Sequence, residues 1–280
     1  MAARTQTIRR RAKGTATTRG AADRSGQVQS LARALAILNA VAEADDGMTL
    51  TDIAQQVGLP PSTTHRLLTT LQQEHYVRFD NERTLWSVGV QSFVVGNAFL
   101  RNRHLVQTAR PLLRALMEES GETVNLAIID EGEAVFLHQV ECRQMMRALS
   151  SLGSRVPLHC SGVGKALLLA MPDAGVTKIL HRHGLRRLTV RTIVRPAELR
   201  EELERSQSRG YAIDDEEHAV GLRCVAAPIV DELGEAVAAI SISGPAARIT
   251  DDRIPLLGAM VRRCAESITR EYGGRVARTG

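Results

Sequence analysis

One segment of the chain, residues 159–165, has the residue types and spacing to bind a small anion. Ser161 is followed by Gly162, a second glycine and a run of apolar residues that predicts a helix. The first turn of a helix has free backbone N–H groups, and glycine lets an anion approach them closely. The segment is not a Walker A loop, because the first Gly of that motif would fall at His159 and Ala166 replaces its Ser or Thr. The alternative is a helix start that Ser161 caps without any ligand.

Two further segments have polar groups where an apolar core would be expected. An acidic run begins at Asp214 and joins two predicted strands, the second of which contains Cys224. Ser241 and Ser243 alternate along a later strand, so both hydroxyls should lie on the same face. The ends of these segments could therefore face one cavity and bind a small polar ligand there. Taken singly, an acidic run is usually a solvated loop, and a strand serine is usually a satisfied hydroxyl.

Catalysis and metal binding are not expected from these residues. Cys160 beside His159 would allow a cysteine nucleophile, but residues adjacent in sequence do not point together. The histidines and cysteines contain no pair with a strong zinc-ligand spacing, and the four cysteines have no C-x-x-C pair. We therefore predict no enzyme, no metal, no cofactor and no disulfide framework.

A different chemistry is predicted near the N-terminus, in residues 49–73. Apolar residues at helical spacing predict a short helix capped by Thr49, and Gly58 then supplies a tight turn. The two prolines that follow can begin a helix but could not continue one. Polar side chains of this second helix suit base edges and phosphates in a major groove. The predicted DNA-contacting residues are Ser62, Thr63, Thr64, His65, Arg66, Thr69 and Thr70. An ordinary amphipathic helical hairpin is the alternative.

The flanking elements favour the DNA-binding interpretation. A helix at residues 28–41 precedes this pair, and two short runs rich in aromatic and β-branched residues, 76–79 and 85–88, follow it around a polar turn. Three helices and a β-hairpin make a winged helix-turn-helix domain, which we assign to residues 27–88. Trp86 is expected in its core rather than stacked on bases.

The net charge of +5 is concentrated in the first 26 residues. Seven Arg or Lys side chains and one acid give this segment a charge of +6, so the rest of the chain carries −1. That distribution argues against a protein that coats nucleic acid generally. We expect residues 1–26 to be a disordered basic tail, which either adds non-specific phosphate affinity or is a solvated leader without a role.

Nothing in the sequence predicts a membrane segment or an export signal. No run of about eighteen apolar residues occurs. The arginine triplet at residues 9–11 is followed by polar residues rather than by an apolar signal core. We therefore expect a cytoplasmic protein with no membrane partner.

The remaining chain predicts a linker helix and an α+β domain. Residues 89–104 are assigned to the linker helix and residues 105–274 to the second domain. The first helix of that domain contains Pro111, which implies a kink or a later helix start. Strands are expected at 123–129, 134–140, 145–149, 211–214, 223–230 and 236–243, and helices at 161–170, 173–183, 196–209 and 251–272. Strands and helices in this order imply a largely antiparallel sheet.

Linked motifs across residues 27–272 resemble the IclR family of bacterial transcriptional regulators. The resemblance rests on the segments 27–35, 59–68, 161–166, 209–211 and 226–228. It implies a winged helix-turn-helix followed by a GAF-like effector-binding domain with an antiparallel sheet, assembled as homodimers or homotetramers. The segments 118–125 and 241–253 point further, to a repressor of glyoxylate-bypass (acetate operon) genes. The implied partners are operator DNA and a small 2-oxo acid, glyoxylate or pyruvate.

The resemblance also implies a set of effector-binding residues within the three polar segments. These residues are Gly162, Val163, Asp214, Cys224, Ser241 and Ser243. The repressor that this chain resembles has Ala at the position of Val163. The larger valine side chain could narrow the pocket, although its backbone N–H remains available. Leu222, Met145 and Val156 are expected to supply apolar walls. The alternative is a regulator of the same architecture, repressor or activator, that serves aromatic-acid or other carbon catabolism.

Overall fold

The computed structural model describes residues 28–101, 104–148 and 150–275. Contacts divide the chain into two compact units, the first ending at Gly96 and the second beginning at Asn97. The predicted basic tail, residues 1–26, lies outside the described residues. Within the described ranges, no helix is long and apolar enough to cross a membrane.

From residue 28 onward, the first unit has three helices followed by a two-stranded antiparallel hairpin. Its elements are α1 (Gln29–Ala42), α2 (Leu50–Val57), α3 (Pro61–Gln73), β1 (Val77–Asp80) and β2 (Leu85–Val88). The Thr49 hydroxyl accepts a hydrogen bond from the Asp52 N–H and caps α2, and Gly58 ends that helix with a φ of 66°. Trp86 is buried beside Phe79, with ring centroids 4.7 Å apart, so it belongs to the core as predicted.

The second unit is built on a six-stranded antiparallel sheet with the order β5-β4-β3-β8-β7-β6. The strands are β3 (Thr123–Asp130), β4 (Glu133–Val140), β5 (Arg155–Pro157), β6 (Ala212–Asp215), β7 (Leu222–Val230) and β8 (Ala236–Pro245). The helices that follow the first unit's hairpin along the chain are α4 (Val90–Arg101), α5 (His104–Ser120), α6 (Gly162–Leu169), α7 (Asp173–His183), α8 (Pro196–Arg209) and α9 (Ile254–Tyr272). The predicted α+β class with an antiparallel sheet is confirmed.

Two apolar clusters occupy the two faces of this sheet. Alternate residues of β7 such as Val225 and Ala227 face α5 and α9, together with the isoleucines of β8. Ala226 faces the other way, toward α6, in a cluster that also includes residues of α7 and α8. The sheet residues beneath α6 are mostly alanines, which lets this short helix lie close to the strands.

Two predictions about the second unit are wrong. Residues 145–148 form no strand, and β4 pairs instead with β5, where Val135 lies opposite Arg155. The side chain of Arg155 bonds to Asp130 at the β3–β4 turn, which holds β5 on this edge. Met145 is 99 % exposed, so it supplies no wall to a pocket. Residue 149 lies outside the described residues.

Pro111 neither delays nor ends α5. The helix runs from His104 to Ser120 with this proline inside it. Pro111 is exposed, so the carbonyl that loses its helical N–H partner lies on the solvent side of the helix. The helix α4 contains the boundary between the two units, and residues 102–103, at the predicted end of the linker helix, lie outside the described residues.

Candidate functional site

The polar face of α3 is the candidate DNA-reading surface. Ser62, His65, Arg66 and Thr70 are exposed on this helix, and Thr63 is half-buried. The hydroxyls of Thr69 and Thr70 donate to the carbonyls of His65 and Arg66 at 2.9 and 3.1 Å. Their oxygen lone pairs can still accept hydrogen bonds. These residues remain predicted DNA contacts.

Thr64 must be removed from the predicted contact set. Its side chain is fully buried, and its hydroxyl donates to the Pro60 carbonyl at 3.1 Å. The residue lies on the same helical stripe as Leu68, which faces the core of the unit. A threonine in that position packs the helix against α1 and α2 and cannot reach a base.

The sheet of the second unit brings the second set of predicted residues together. Antiparallel pairing puts Asp214 opposite Cys224 and Cys224 opposite Ser243. Ser241 is paired with Asn125 on the neighbouring strand. The row therefore crosses four strands on the face that α6 covers. All of these side chains are buried.

Polar side chains in this row bond to one another. The Asn125 amide donates to the hydroxyls of Ser241 and Ser243 at 3.4 and 3.2 Å. The two serine hydroxyls lie 3.2 Å apart. Sequence reasoning missed Asn125, although an amide side chain within an otherwise apolar strand was a visible signal. The network supplies donors and acceptors inside a closed apolar surrounding.

The start of α6 closes the site from the other side. Ser161 accepts from the Gly164 N–H at 3.1 Å and caps the helix. A Cβ on Gly162 would lie 3.0 Å from the Cβ of Cys224, so the helix start packs directly on the polar row. In the described part of the chain, the N–H groups of Gly162 and Val163 have no acceptor. They are therefore available to an anion, as the helix-start prediction requires.

Val163 belongs to the apolar cluster under α6. Its side chain is buried together with Phe136 and Val156. The extra bulk relative to Ala is thus accommodated within packed apolar side chains. Val156 was predicted as an apolar wall of the pocket, and it too is buried in this cluster.

A buried ion pair lies beside the polar row. Lys165, with a fully buried side chain, donates to Glu217 Oε1 at 2.5 Å. The other oxygen of this carboxylate, Oε2, has no hydrogen-bond partner within the described residues. Sequence reasoning assigned no role to this pair. The only available signal was a lysine inside an apolar helix, and its acidic partner could not be chosen among four adjacent acids.

Asp214 is the second buried carboxyl of the site. Its Oδ1 accepts from the N–H groups of Glu217 and His218 at 2.8 and 3.3 Å. Burial raises its pKa to about 7, Lys165 opposes that rise, and the charge of Glu217 adds to it. This carboxyl therefore changes protonation near neutral pH.

The cysteines of the site are poor nucleophiles. Burial raises the pKa of Cys160 to about 12, and burial together with Asp214 raises the pKa of Cys224. Both thiols are protonated at neutral pH, whereas a nucleophilic cysteine needs a thiolate. The described residues contain no group of three side chains placed to hold a metal ion.

Replacing Asp214 with Asn should stabilise the protein at pH 8. Asp214 has a pKa near 3.8 when unfolded and about 7 when folded, so the folded state binds the extra proton between these values. This carboxyl therefore lowers the free energy of unfolding as the pH rises through that window. The Asn oxygen can accept the same two N–H bonds. We expect a gain of about 2–4 kcal/mol at pH 8 and a smaller one at pH 5.

Urea unfolding followed by far-UV circular dichroism at both pH values measures this effect. Asp215→Asn is the matched control, because Asp215 is half-exposed and bonds to Arg191 and Arg223. This variant should show no gain in stability at pH 8. A difference between Asp214→Asn and wild type that is the same at both pH values would contradict the prediction.

Comparison with known proteins agrees with this architecture. Residues 30–81 match the IclR helix-turn-helix domain, and residues 97–270 match the C-terminal domain of the bacterial transcriptional regulator IclR. The chain is 52% identical to the transcriptional repressor IclR of Escherichia coli and 51% identical to the acetate operon repressor of Salmonella typhimurium. Each match covers 89% of this chain and 92% of the relative.

A solved structure shows the same fold. The crystal structure of the Thermotoga maritima IclR is 30% identical, with a TM-score of 0.76, and the match covers 88% of this chain and all of that one. The chain therefore belongs to the IclR family of bacterial transcriptional regulators.

Proposed function

We propose that this protein represses glyoxylate-bypass (acetate operon) genes and that a small 2-oxo acid, glyoxylate or pyruvate, controls it. The observation that carries the proposal is the 52% identity to a named repressor over nearly the whole chain. The closed polar site under α6 supports the effector class. As a transcriptional regulator rather than an enzyme, the protein needs this site only to bind and release its ligand.

The chemistry of the site suits a small 2-oxo acid. Two free N–H groups at the start of α6 can hold a carboxylate. The hydroxyls of Ser241 and Ser243 and the amide of Asn125 can donate hydrogen bonds to the oxygen of the adjacent carbonyl. The side chains around them are buried, which favours a ligand of a few heavy atoms over an aromatic acid.

An effector can change DNA binding only if it prefers one arrangement of the protein. The linker helix, residues 89–104, is proposed as the transmitter because it connects the reading unit to the effector-binding unit. The domain boundaries at 27–88 and 105–274 belong to the same proposal. Which arrangement the acid prefers decides whether it releases or strengthens repression.

A second copy of the chain is proposed as the protein partner, in a homodimer or a homotetramer. Large apolar side chains are exposed on one face of α1 and on α4. They are Val28, Leu31, Leu35, Val90, Phe93 and Val94. Exposed apolar surface of this extent typically marks an interaction site. A two-fold dimer predicts a pseudo-palindromic operator.

Replacing Arg66 with Ala should weaken operator binding by about 1–3 kcal/mol if the guanidinium reads a base. Arg66→Lys is the matched control, because it keeps the positive charge but loses the forked donor pair. A gel-shift titration on the operator and on unrelated DNA measures both variants. Base reading predicts that the two variants lose affinity mainly for the operator. An equal loss of affinity for the operator and for unrelated DNA would show that Arg66 contacts phosphates rather than bases.

Replacing Asp214 with Ala should weaken effector binding by about 10- to 100-fold, the loss expected when one hydrogen bond to a charged ligand is removed. Operator binding without effector should stay as in wild type. Calorimetric titration with glyoxylate, pyruvate and protocatechuate measures the affinities and ranks the effector classes. Protocatechuate binding with no response to either 2-oxo acid would favour the alternative of an aromatic-acid regulator.

A further inference from the structure

We propose that the effector acid binds together with one proton, which comes from solvent and resides on Asp214. In this complex the Asp214 carboxyl donates an O–H hydrogen bond to an oxygen of the effector. The inference rests on the proposed 2-oxo acid effector. It adds a specificity role to Asp214 and makes effector affinity dependent on pH.

The burial of Asp214 is the first step of the argument. The residue is 1 % exposed, and among the described residues its Oδ1 alone accepts hydrogen bonds, from the backbone N–H groups of its own loop. It pairs across the sheet with Cys224, on which Gly162 at the start of α6 packs. A ligand held by the α6 N–H groups therefore lies close to this carboxyl.

The charges around Asp214 are the second step. Lys165 on α6 is a cation that acts on the Asp214 carboxyl, and it is already paired with Glu217. Three further titratable groups near Asp214 are Cys160, Cys224 and His218, and burial raises the pKa of both thiols and lowers that of the imidazole. These three groups are thus neutral at pH 7. On α8, Glu202 adds a further negative charge, which Arg209 pairs.

The ligand charge is the third step. A 2-oxo acid brings a carboxylate into a site where Asp214 and Glu217 already share one ammonium group. Like charges in a water-excluded site repel strongly, and one carboxyl then takes a proton. Because the pKa of free Asp214 is about 7, this protonation costs little near neutral pH. Asp214 rather than Glu217 takes this proton, because the Glu217 carboxylate is hydrogen-bonded to the Lys165 ammonium group.

A consequence for specificity follows from the protonated carboxyl. An O–H donor recognises an oxygen acceptor, such as the 2-oxo group or its hydrate, and gives no partner to an ammonium group. An ionised Asp214 would instead favour an α-amino acid. The proposal therefore predicts that glycine and L-alanine, the amino analogues of glyoxylate and pyruvate, do not bind.

Calorimetry of the full chain with glyoxylate in buffers of different ionisation enthalpy tests the proposal. The number of protons taken up should be about half at pH 7 and close to one at pH 8.5, because uptake equals the ionised fraction of free Asp214. Above pH 8, affinity should fall about tenfold for each pH unit. These measurements need no variant, so they do not depend on the folding of one.

Two variants separate the roles of charge and donor. Asp214→Asn is neutral and keeps an N–H donor, so it should bind glyoxylate with no proton uptake and an affinity independent of pH. Asp215→Asn, the same change one residue along the strand, should keep both the uptake and the pH dependence of wild type.

The outcomes distinguish the two proposals. Binding without proton uptake, unchanged between pH 6 and 8.5, would overturn the proton-coupled role of Asp214 and leave the effector class standing. Glycine binding as tightly as glyoxylate would likewise overturn it. If neither glyoxylate nor pyruvate binds at any pH, both the effector class and this inference fall.

Discussion

Replacing Lys165 with Met is expected to destabilise the second unit by about 3–5 kcal/mol, the cost of leaving a buried charge without its partner. Lys165 is fully buried and bonds to Glu217. Burial raises the pKa of Glu217, and Lys165 is the largest influence in the opposite direction. Without the ammonium group, Glu217 and Asp214 are two buried carboxyls that have lost the cation acting on both. The loss should shrink at pH 5, where both carboxyls can take up protons.

The two units allow this effect to be localised. The protein has one tryptophan, Trp86, which lies in the core of the first unit. Urea unfolding followed by tryptophan fluorescence therefore reports the first unit, and far-UV circular dichroism also reports the second. Lys165→Met should lower only the transition of the second unit. A loss below about 1 kcal/mol would show that the pair is hydrated and contributes as an exposed pair does.

Two further variants complete the test. Lys165→Met combined with Glu217→Gln removes both charges of the pair. It should recover most of the loss, because the one carboxyl left beside the pair is Asp214, which can take up a proton near neutral pH. Arg195→Met breaks an exposed pair with Glu198, in which Arg195 is 77 % exposed, and should cost at most about 1 kcal/mol. If the double variant were as unstable as the single one, lost packing of the lysine stem would explain the effect.

Local sequence signals were sufficient to place most elements. The helices α7 and α8 have the predicted bounds because a proline stands at or just before the start of each and Gly184 and Gly210 follow their ends. Capping was equally local, since Thr49 and Ser161 bond to N–H groups three residues ahead. Such signals depend on the chain within a few residues, which a single sequence contains.

The parts that could not be predicted depend on contacts between distant segments. The bond from Asn125 to Ser243 joins strands that only the sheet order β3-β8-β7 makes neighbours. The pairing of Lys165 with Glu217 likewise requires the β6–β7 loop to lie against α6. A lysine inside a helix is normally solvent-exposed, so the apolar residues around Lys165 were a weak signal of its burial and none of its partner. At residues 145–148 the local signal was misleading. Their apolar composition predicts a strand, but β4 pairs with β5 instead.

Replacing Phe93 with Asp is expected to reduce operator affinity by about 10²- to 10⁴-fold. This is the avidity gained when the helix-turn-helix units of two copies bind one DNA site together. Phe93 lies on α4 and is 70 % exposed beside Val90 and Val94. An aspartate there would place a charge inside the proposed interface between two copies, where it must lose its hydration. Sedimentation equilibrium of the full chain measures the association, and gel-shift titration measures operator binding.

The exposure of Phe93 makes this variant informative about assembly rather than folding. A side chain that is largely in solvent in the single chain contributes little to the core of its own unit, so the unfolding transition of Trp86 should stay where it is. Val190→Asp is the matched control, because Val190 is 88 % exposed in the second unit and lies outside α1 and α4. It should change neither association nor operator affinity.

Two outcomes would contradict the prediction. A Phe93→Asp protein that still forms the wild-type oligomer and binds its operator fully would exclude α4 from the interface, which would then lie on another surface. A variant that stays oligomeric but no longer binds the operator would instead show that α4 positions the two helix-turn-helix units.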